Sequence, residues 1–299
     1  MKKVFALMMA VLAITTVSCK KDNKGGDDDE KTIAKPTYRV TKMLKSWEGT
    51  DKESGDAYIY KWNADGTIDQ VEMAWAKEVY SIMKFNYSGN TVSVVDTKKD
   101  NKPICTITLN NQKLATKIEQ AANSEVGEFT KLEITYDANG FLTSAKVNDK
   151  INTVQKIDED GNVEWWGRIG VESLVDATTT ATGWRKKMHT YYNQVNAAGI
   201  HGEWDEDVKV KRWFYETGLV GRASAQVMRT AWWYGIVNKD KTEVEPKYAE
   251  KLAYYPLDVD DHGCVVTETK LYDTETQYKS DPSKMKGDDL CAFVCEKIK

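Results

Sequence analysis

The sequence predicts an all-β chain: a large curved antiparallel meander, an open or half barrel, with one short helical insertion. Three observations lead there. A turn of the form Asx-x-x-Gly recurs along the chain. The residues flanking its copies alternate apolar and polar, as the two faces of a half-buried strand require. The composition, with 10 Trp and 15 Tyr but 5 Pro in 299 residues, suits pleated sheet, where large flat side chains pack well. A hydrophobic content of 41% is enough for a packed core.

Taken in chain order, Met1-Lys2-Lys3 is a basic start and Val4 to Val17 an apolar run interrupted by Thr15 and Thr16. This is the layout of a secretory signal peptide, residues 1–18; a transmembrane helix would need about 20 apolar residues. The run ends in Thr16-Val17-Ser18-Cys19, which resembles a bacterial lipobox, with Thr16 where leucine is commonest. The resemblance implies that the Cys19 thiolate accepts a diacylglyceryl group and that multiply acylated Cys19 anchors the mature chain to a membrane. Lys20 to Lys31 carries no apolar side chain and reads, with Cys19, as a lipidated tether over 19–31. Its acidic block Asp27 to Glu30 resembles signals that route some lipoproteins to the cell surface, and reads equally well as a solvated linker. The expected location is the outer membrane, facing the periplasm or the exterior.

The meander domain is expected over 32–299. The turn recurs as Trp62-Asn63-Ala64-Asp65-Gly66-Thr67-Ile68, Tyr136-Asp137-Ala138-Asn139-Gly140-Phe141-Leu142, Ile157-Asp158-Glu159-Asp160-Gly161-Asn162-Val163 and Val259-Asp260-Asp261-His262-Gly263-Cys264-Val265. The leading Asx accepts hydrogen bonds from the turn backbone, and Gly supplies the left-handed conformation that restarts the strand. Tyr87 to Val92 is a shorter variant, and Leu109 to Leu114 a copy lacking the Gly. Six such turns imply a dozen or more strands, and no second Gly/Ser-rich linker divides them. The stretch Gly170 to Val227 breaks the rhythm. Within it, Asp205-Glu206-Asp207 followed by Val208, Val210, Trp213 and Phe214 predicts an acidic helix start with an apolar face, stopped at Gly218.

These residues resemble a family. The signal and lipobox, the Tyr-Asp-x-Asn-Gly-x-Leu hairpin, similar to the YD repeats of bacterial wall-associated proteins, and the segment Trp213 to Ser224 together resemble a secreted lipoprotein family of unknown function from gut bacteria, described as having a porin-like fold. The resemblance covers roughly Tyr38 to Ile298. It implies a large curved antiparallel sheet and carries no catalytic residues over. Lys84, Lys131, Glu133, Lys146 and Lys150 alternate into strand faces that lipid would have to contact, which argues against a membrane-spanning barrel.

Charge excludes one class of partner. The 42 Lys+Arg fall to 40 without Lys2 and Lys3, against 46 Asp+Glu, so the mature chain is acidic and nothing draws it to nucleic acid. His189, His201 and His262 share no ligand spacing, and His262 occupies a turn position held by Asx in the sister copies. Asp258-x-Asp260-x-His262-Gly263 imitates the opening of a calcium loop, but Thr269 stands where a bidentate Glu is needed. Glu203, Asp205, Glu206 and Asp207 are a carboxylate cluster of the kind glycoside hydrolysis uses, yet they sit at a predicted helix start, where their charge favours the macrodipole. No nucleophile elbow, phosphate loop or dinucleotide fingerprint occurs; no catalytic residue, metal or cofactor is expected.

The doublets Trp165-Trp166 and Trp232-Trp233 are the candidate ligand contacts. Neighbouring strand residues point to opposite faces, so each doublet sets one indole on either side of the sheet. One reading has the concave face filled and the convex face covered by the Gly170 to Val227 insertion; the other has a row of aromatics lining an open surface. The function expected is that of a non-catalytic envelope lipoprotein binding a hydrophobic or carbohydrate ligand, or else of a structural adaptor holding a protein partner. Of the cysteines left after Cys19, Cys291 and Cys295 lie four apart on a terminal strand, ~13 Å from each other and too far to bond. A strand beginning near Gly263 would set Cys264 opposite Cys295, as a possible disulfide or as two small buried hydrophobes.

Overall fold

The computed structural model describes residues 33, 35–47, 55–122, 126–174, 180–202, 209–237, 249–254, 259–261, 264–265, 267–271 and 287–299, with the backbone alone described at 46–47, 152, 168–174, 180–187, 232–237, 249–254, 267–271 and 287–290. The signal peptide, Cys19 and the tether lie outside the described residues. The chain divides between Lys31 and Thr32, and the second unit holds every described strand.

The strands are β1 (Tyr38–Trp47), β2 (Asp56–Trp62), β3 (Ile68–Trp75), β4 (Glu78–Ser88), β5 (Thr91–Asp96), β6 (Lys102–Leu109), β7 (Ala115–Gln120), β8 (Lys131–Tyr136), β9 (Leu142–Val147), β10 (Lys150–Ile157), β11 (Val163–Leu174), β12 (Thr180–Val195), β13 (Gln226–Val237), β14 (Ala249–Tyr254), β15 (Thr267–Leu271) and β16 (Gly287–Lys297). Each pairs antiparallel with its chain neighbour, and β16 returns to lie on β1, from Tyr38 opposite Lys297 to Trp47 opposite Asp289. This is the all-β meander with one short helix that the turns foretold. Between β14 and β15 a single position pairs among the described residues, Tyr254 with Leu271.

The Asx turns form as their chemistry dictates. Asp137 N donates to Phe141 O at 2.9 Å and Asp137 Oδ1 accepts from Phe141 N at 2.8 Å, while Gly140 N donates to Asp137 O. Asp158 repeats the arrangement with Asn162 and Gly161, and Asp260 with Cys264. The glycines hold φ of +83° at Gly66, +86° at Gly140 and +81° at Gly161; in the copy without Gly, Lys113 takes the same role at +64°. Because strands alternate in direction, these turns and those at Gly89 and Asn110 all lie at one end of the sheet, which we call the turn end.

The break at Gly170 is not where the sequence suggested. β11 runs on to Leu174 and β12 fills Thr180–Val195; among the described residues of this stretch, 196–202 and 209–225 lie outside the strands. The helix is one turn, α1 (Arg212–Tyr215), started at Lys211 and not at the acidic cluster, and 203–208 lie outside the described residues. Val210 instead bridges Gly127 in the loop between β7 and β8, at the end opposite the turns. Gly127 is required there, since a Cβ would meet the Lys209 carbonyl oxygen at 2.0 Å.

From that far end the segment returns to the turn end through the interior. Tyr60 Oη on β2 donates to Trp213 O at 3.0 Å, Phe85 on β4 packs on Phe214, Phe293 on β16 lies under the Arg212 guanidinium, and Ala115 N at the start of β7 donates to Leu219 O. Only the concave side can touch strands spread so far around the curl. Trp213, Phe214 and Tyr215 are buried together with the inward residues of β1 to β9, among them Met43, Val71, Phe85, Ile107, Ile118 and Leu132. The concave face of this region is therefore filled by the described residues of the insertion, which pack inside and not on the convex face. The convex face is ionic: Lys61 pairs with Glu72, Lys84 with Asp69, Lys117 with Glu119, Lys131 with Asp149 and Lys156 with Glu164.

Candidate binding cleft

The returning segment is pinned to the turn end by the repeated turns themselves. Arg222 N donates to Gly140 O and Ala225 N to Gly161 O, each at 2.9 Å, and Asn162 exchanges hydrogen bonds with Gln226. The start of the domain crosses the same end: Thr37 N and Tyr38 N both donate to Ala197 O, and Ile33 packs where a Cβ on Gly161 would stand, 2.7 Å from Ile33 Cγ2. Between the crossing strap, the returning segment and the first turn a cleft of about 230 Å³ remains, somewhat below the 300–1,000 Å³ of typical small-ligand sites. It has room for a small molecule or for the end group of a larger one.

Its walls are Tyr38, Trp62, Leu114, Tyr215 and Ile298, with the backbone at Gly66 and Gly218 facing open space. Trp62 is fixed by its indole N–H, which donates to Val40 O at 2.9 Å. Two guanidinium groups flank the apolar wall. Arg39 lies 5.3 Å from the Trp62 ring and bonds Glu296 at 2.6 Å; Arg222 lies 4.9 Å from the Phe141 ring. At the back, His201 packs on Tyr215 at 5.2 Å and Glu216 is locked in a buried pair with Arg212. Burial first and the Arg212 charge second push the His201 pKa down to about 3, so the imidazole is neutral near pH 7 and poorly matched to proton transfer there. Flat apolar surface, fixed indole and flanking cations suit the arrangement to binding.

The sequence-predicted aromatics stand elsewhere. Trp166 on β11 is fully buried against Val163 and Ile157, and Trp165 is half-buried. The register aligns the two doublets across β12: Trp165 and Trp232 both pair with Met188, and Trp166 and Trp233 both pair with Lys187. The side chains at 232 and 233 are not among those described. His189 is buried on β12, its Nδ1 3.2 Å from Val163 O, while His262, Asp258 and the carboxylates 203–207 lie outside the described residues. Cys264 and Cys295 are adjacent free thiols. Sequence reasoning missed Arg39, Trp62 and Arg222 as neighbours because nothing local marks three distant segments as converging; the one available signal was that Trp62 opens the first turn and Gly221-Arg222 lies in the segment already singled out.

A crystal structure of a porin-like protein from Bacteroides uniformis matches 87% of this chain and 99% of its own, with a TM-score of 0.50 and 12% identity. The chain has a porin-like fold. A porin-like protein from Bacteroides vulgatus matches 86% of this chain and 98% of its own, at a TM-score of 0.45 and 11% identity. The Tc holotoxin pore of Photorhabdus luminescens aligns with 78% of this chain and 13% of its own, at a TM-score of 0.25 and 11% identity. At 12% identity the likeness to the Bacteroides uniformis protein is one of fold alone. No protein-family model and no curated protein sequence matches the chain. The porin-like outline here encloses a packed interior: where a water-filled porin has its channel, this chain buries Trp213, Phe214 and Tyr215.

Proposed function

We propose that the protein is a non-catalytic lipoprotein of the cell envelope, anchored at the outer membrane through Cys19, that binds a small hydrophobic or carbohydrate ligand in the cleft at its turn end. The observation that carries the reading is the cleft's make-up, an aromatic and aliphatic wall with a hydrogen-bonded Trp62 and the Arg39 and Arg222 guanidiniums beside it. Ion pairs on the convex face support a protein that stands outside the bilayer, since lipid-facing Lys and Arg cost about 2–4 kcal/mol each at the membrane midplane. The test is a tryptophan fluorescence titration against envelope lipid extracts and glycan libraries, repeated on Ala223→Trp, which fills the cleft, with circular dichroism to establish that the variant folds. Binding that is lost in the folded variant supports the cleft; binding that persists there places the ligand elsewhere. Substituting Cys19→Ser should release a soluble form or leave an uncleaved precursor, and membrane retention of a processed form would contradict the anchor.

One observation favours the adaptor reading. Trp75 and Tyr80, 50% and 41% exposed, flank the tight Ala76-Lys77 turn at the end opposite the cleft. Exposed aromatics on a hairpin tip suit a protein partner. Loss of a co-purifying protein in Trp75→Ala, with ligand binding intact, would support that role.

A further inference from the structure

Four strand or turn cysteines remain in the folded unit, and the register brings two of them together. Thr267 pairs with Ala292 and Glu268 with Cys291 along β15 and β16; carried three residues towards the turn end, the same register sets Cys264 against Cys295. The last Asp-x-x-Gly turn holds Cys264 in place, through Cys264 N to Asp260 Oδ1 at 2.9 Å and the bridge between Val259 and Val265. The two thiols share a hydrogen bond. Cys105 is on β6, paired opposite Val94 and Gln120, and Cys291 is four residues from Cys295 along an extended strand, ~13 Å away, so neither competes.

We infer that Cys264 and Cys295 are a modification site: a dithiol converted to a disulfide that ties the final turn to β16. The conversion is thiol–disulfide exchange with a disulfide oxidant as partner, either the oxidised dithiol of a protein oxidoreductase or glutathione disulfide. The Cys295 thiolate attacks the partner's disulfide and forms a mixed disulfide, releasing one partner thiol. The Cys264 thiolate then displaces the second, so that two cysteine protons and two electrons pass to the partner. Cys295 is the partly exposed member and Cys264 the buried one. Burial pushes the Cys295 thiol up to about 12, so thiolate is scarce in the folded dithiol form and the bond closes as the chain folds or when this edge opens. The bond lies where β15 meets β16, three residues before Ile298 of the cleft wall.

The full chain is incubated with excess glutathione disulfide in mild urea, returned to buffer, then denatured without reductant, alkylated and mapped by mass spectrometry. The expected result is alkylation at Cys105 and Cys291 and a peptide pair linked through Cys264 and Cys295. In Cys264→Ser, checked for folding by circular dichroism, Cys295 should become alkylated or carry glutathione, with no link to another cysteine. Alkylation of both Cys264 and Cys295 in the wild type, or a link that includes Cys105 or Cys291, would overturn the assignment.

Discussion

Four turns of one design, placed in different surroundings, allow the strain of a left-handed residue to be separated from the packing around it. A non-Gly residue in that conformation costs about 1–2 kcal/mol, of which Gly→Ala recovers about 0.4–1 kcal/mol by restricting the unfolded chain. At Gly66, where a Cβ would meet nothing within 4 Å, Gly66→Ala should therefore cost about 0.5–1 kcal/mol. At Gly161 the same methyl would stand 2.7 Å from Ile33 Cγ2 and 3.2 Å from Phe141 Cζ, adding an overpacking cost of about 1–3 kcal/mol. Lys113→Gly runs the strain in reverse and should gain about 0.5–1 kcal/mol, worth roughly 2–4 °C in Tm per kcal/mol in a domain near this size. Urea unfolding of the chain from residue 32 measures all three. The double variant Ile33→Ala, Gly161→Ala should lose the extra cost and leave Gly161→Ala resembling Gly66→Ala. Equal costs at Gly66 and Gly161 with Ile33 intact would refute the seating of the strap on that turn, and a destabilised Lys113→Gly would refute the assignment of strain to the left-handed residue.

Truncating Phe214→Ala in the packed interior should cost about 3–5 kcal/mol, read as a lowered urea midpoint with new binding of a hydrophobic dye. Arg212→Met alone strands the buried Glu216 carboxylate and should cost about 3–5 kcal/mol, whereas Arg212→Met with Glu216→Leu should recover most of it; equal midpoints for the two variants would show that the pair is not buried. Acid should weaken the fold in two windows. Burial alone would raise the Asp96 pKa, but hydrogen bonds from Ser81 and the Ile82 and Lys98 amides, with Lys99, lower it. Its contribution is present above an unfolded pKa near ~3.9 and lost as pH falls through the folded value. His201, lowered to about 3, contributes fully above ~6.5 and less as pH falls below it. In His201→Phe the slope of stability between pH 6 and 4 should flatten, and in Asp96→Asn the slope below pH 4.

What was legible in the sequence is what local chemistry writes there. An Asx with Gly three residues on closes a turn whatever surrounds it, so the hairpins at Asn63, Asp137 and Asp158 could be placed from six or seven residues each. The β11 to β12 connection carries no such signal, and Thr180 to Val195 mixes Lys, Arg and aromatics without a clean alternation, so a pair of long strands read as an insertion. The acidic cluster at 205–207 looked like a helix start because charge favours that position, but tertiary pairing won: Val210 bridges Gly127 and the helix shrinks to Arg212–Tyr215. The cleft was illegible for a different reason. Arg39, Trp62, Tyr215 and Arg222 converge only after a sheet of sixteen strands has curled, and the Trp doublets, conspicuous in sequence, include a Trp166 that serves the interior.

The 209–225 segment packs through the concave side while held to both ends of the sheet. Native-state hydrogen exchange probes this through five amides: Lys211 and Glu128, bonded between segment and far loop, and Ala115, Arg222 and Ala225, bonded between segment and turns. Protection of all five comparable to that of the β8 and β9 ladder amides is the expected result. Exchange of these amides at the rate of an open loop, while the ladder stays protected, would show that the segment does not fill the concave side.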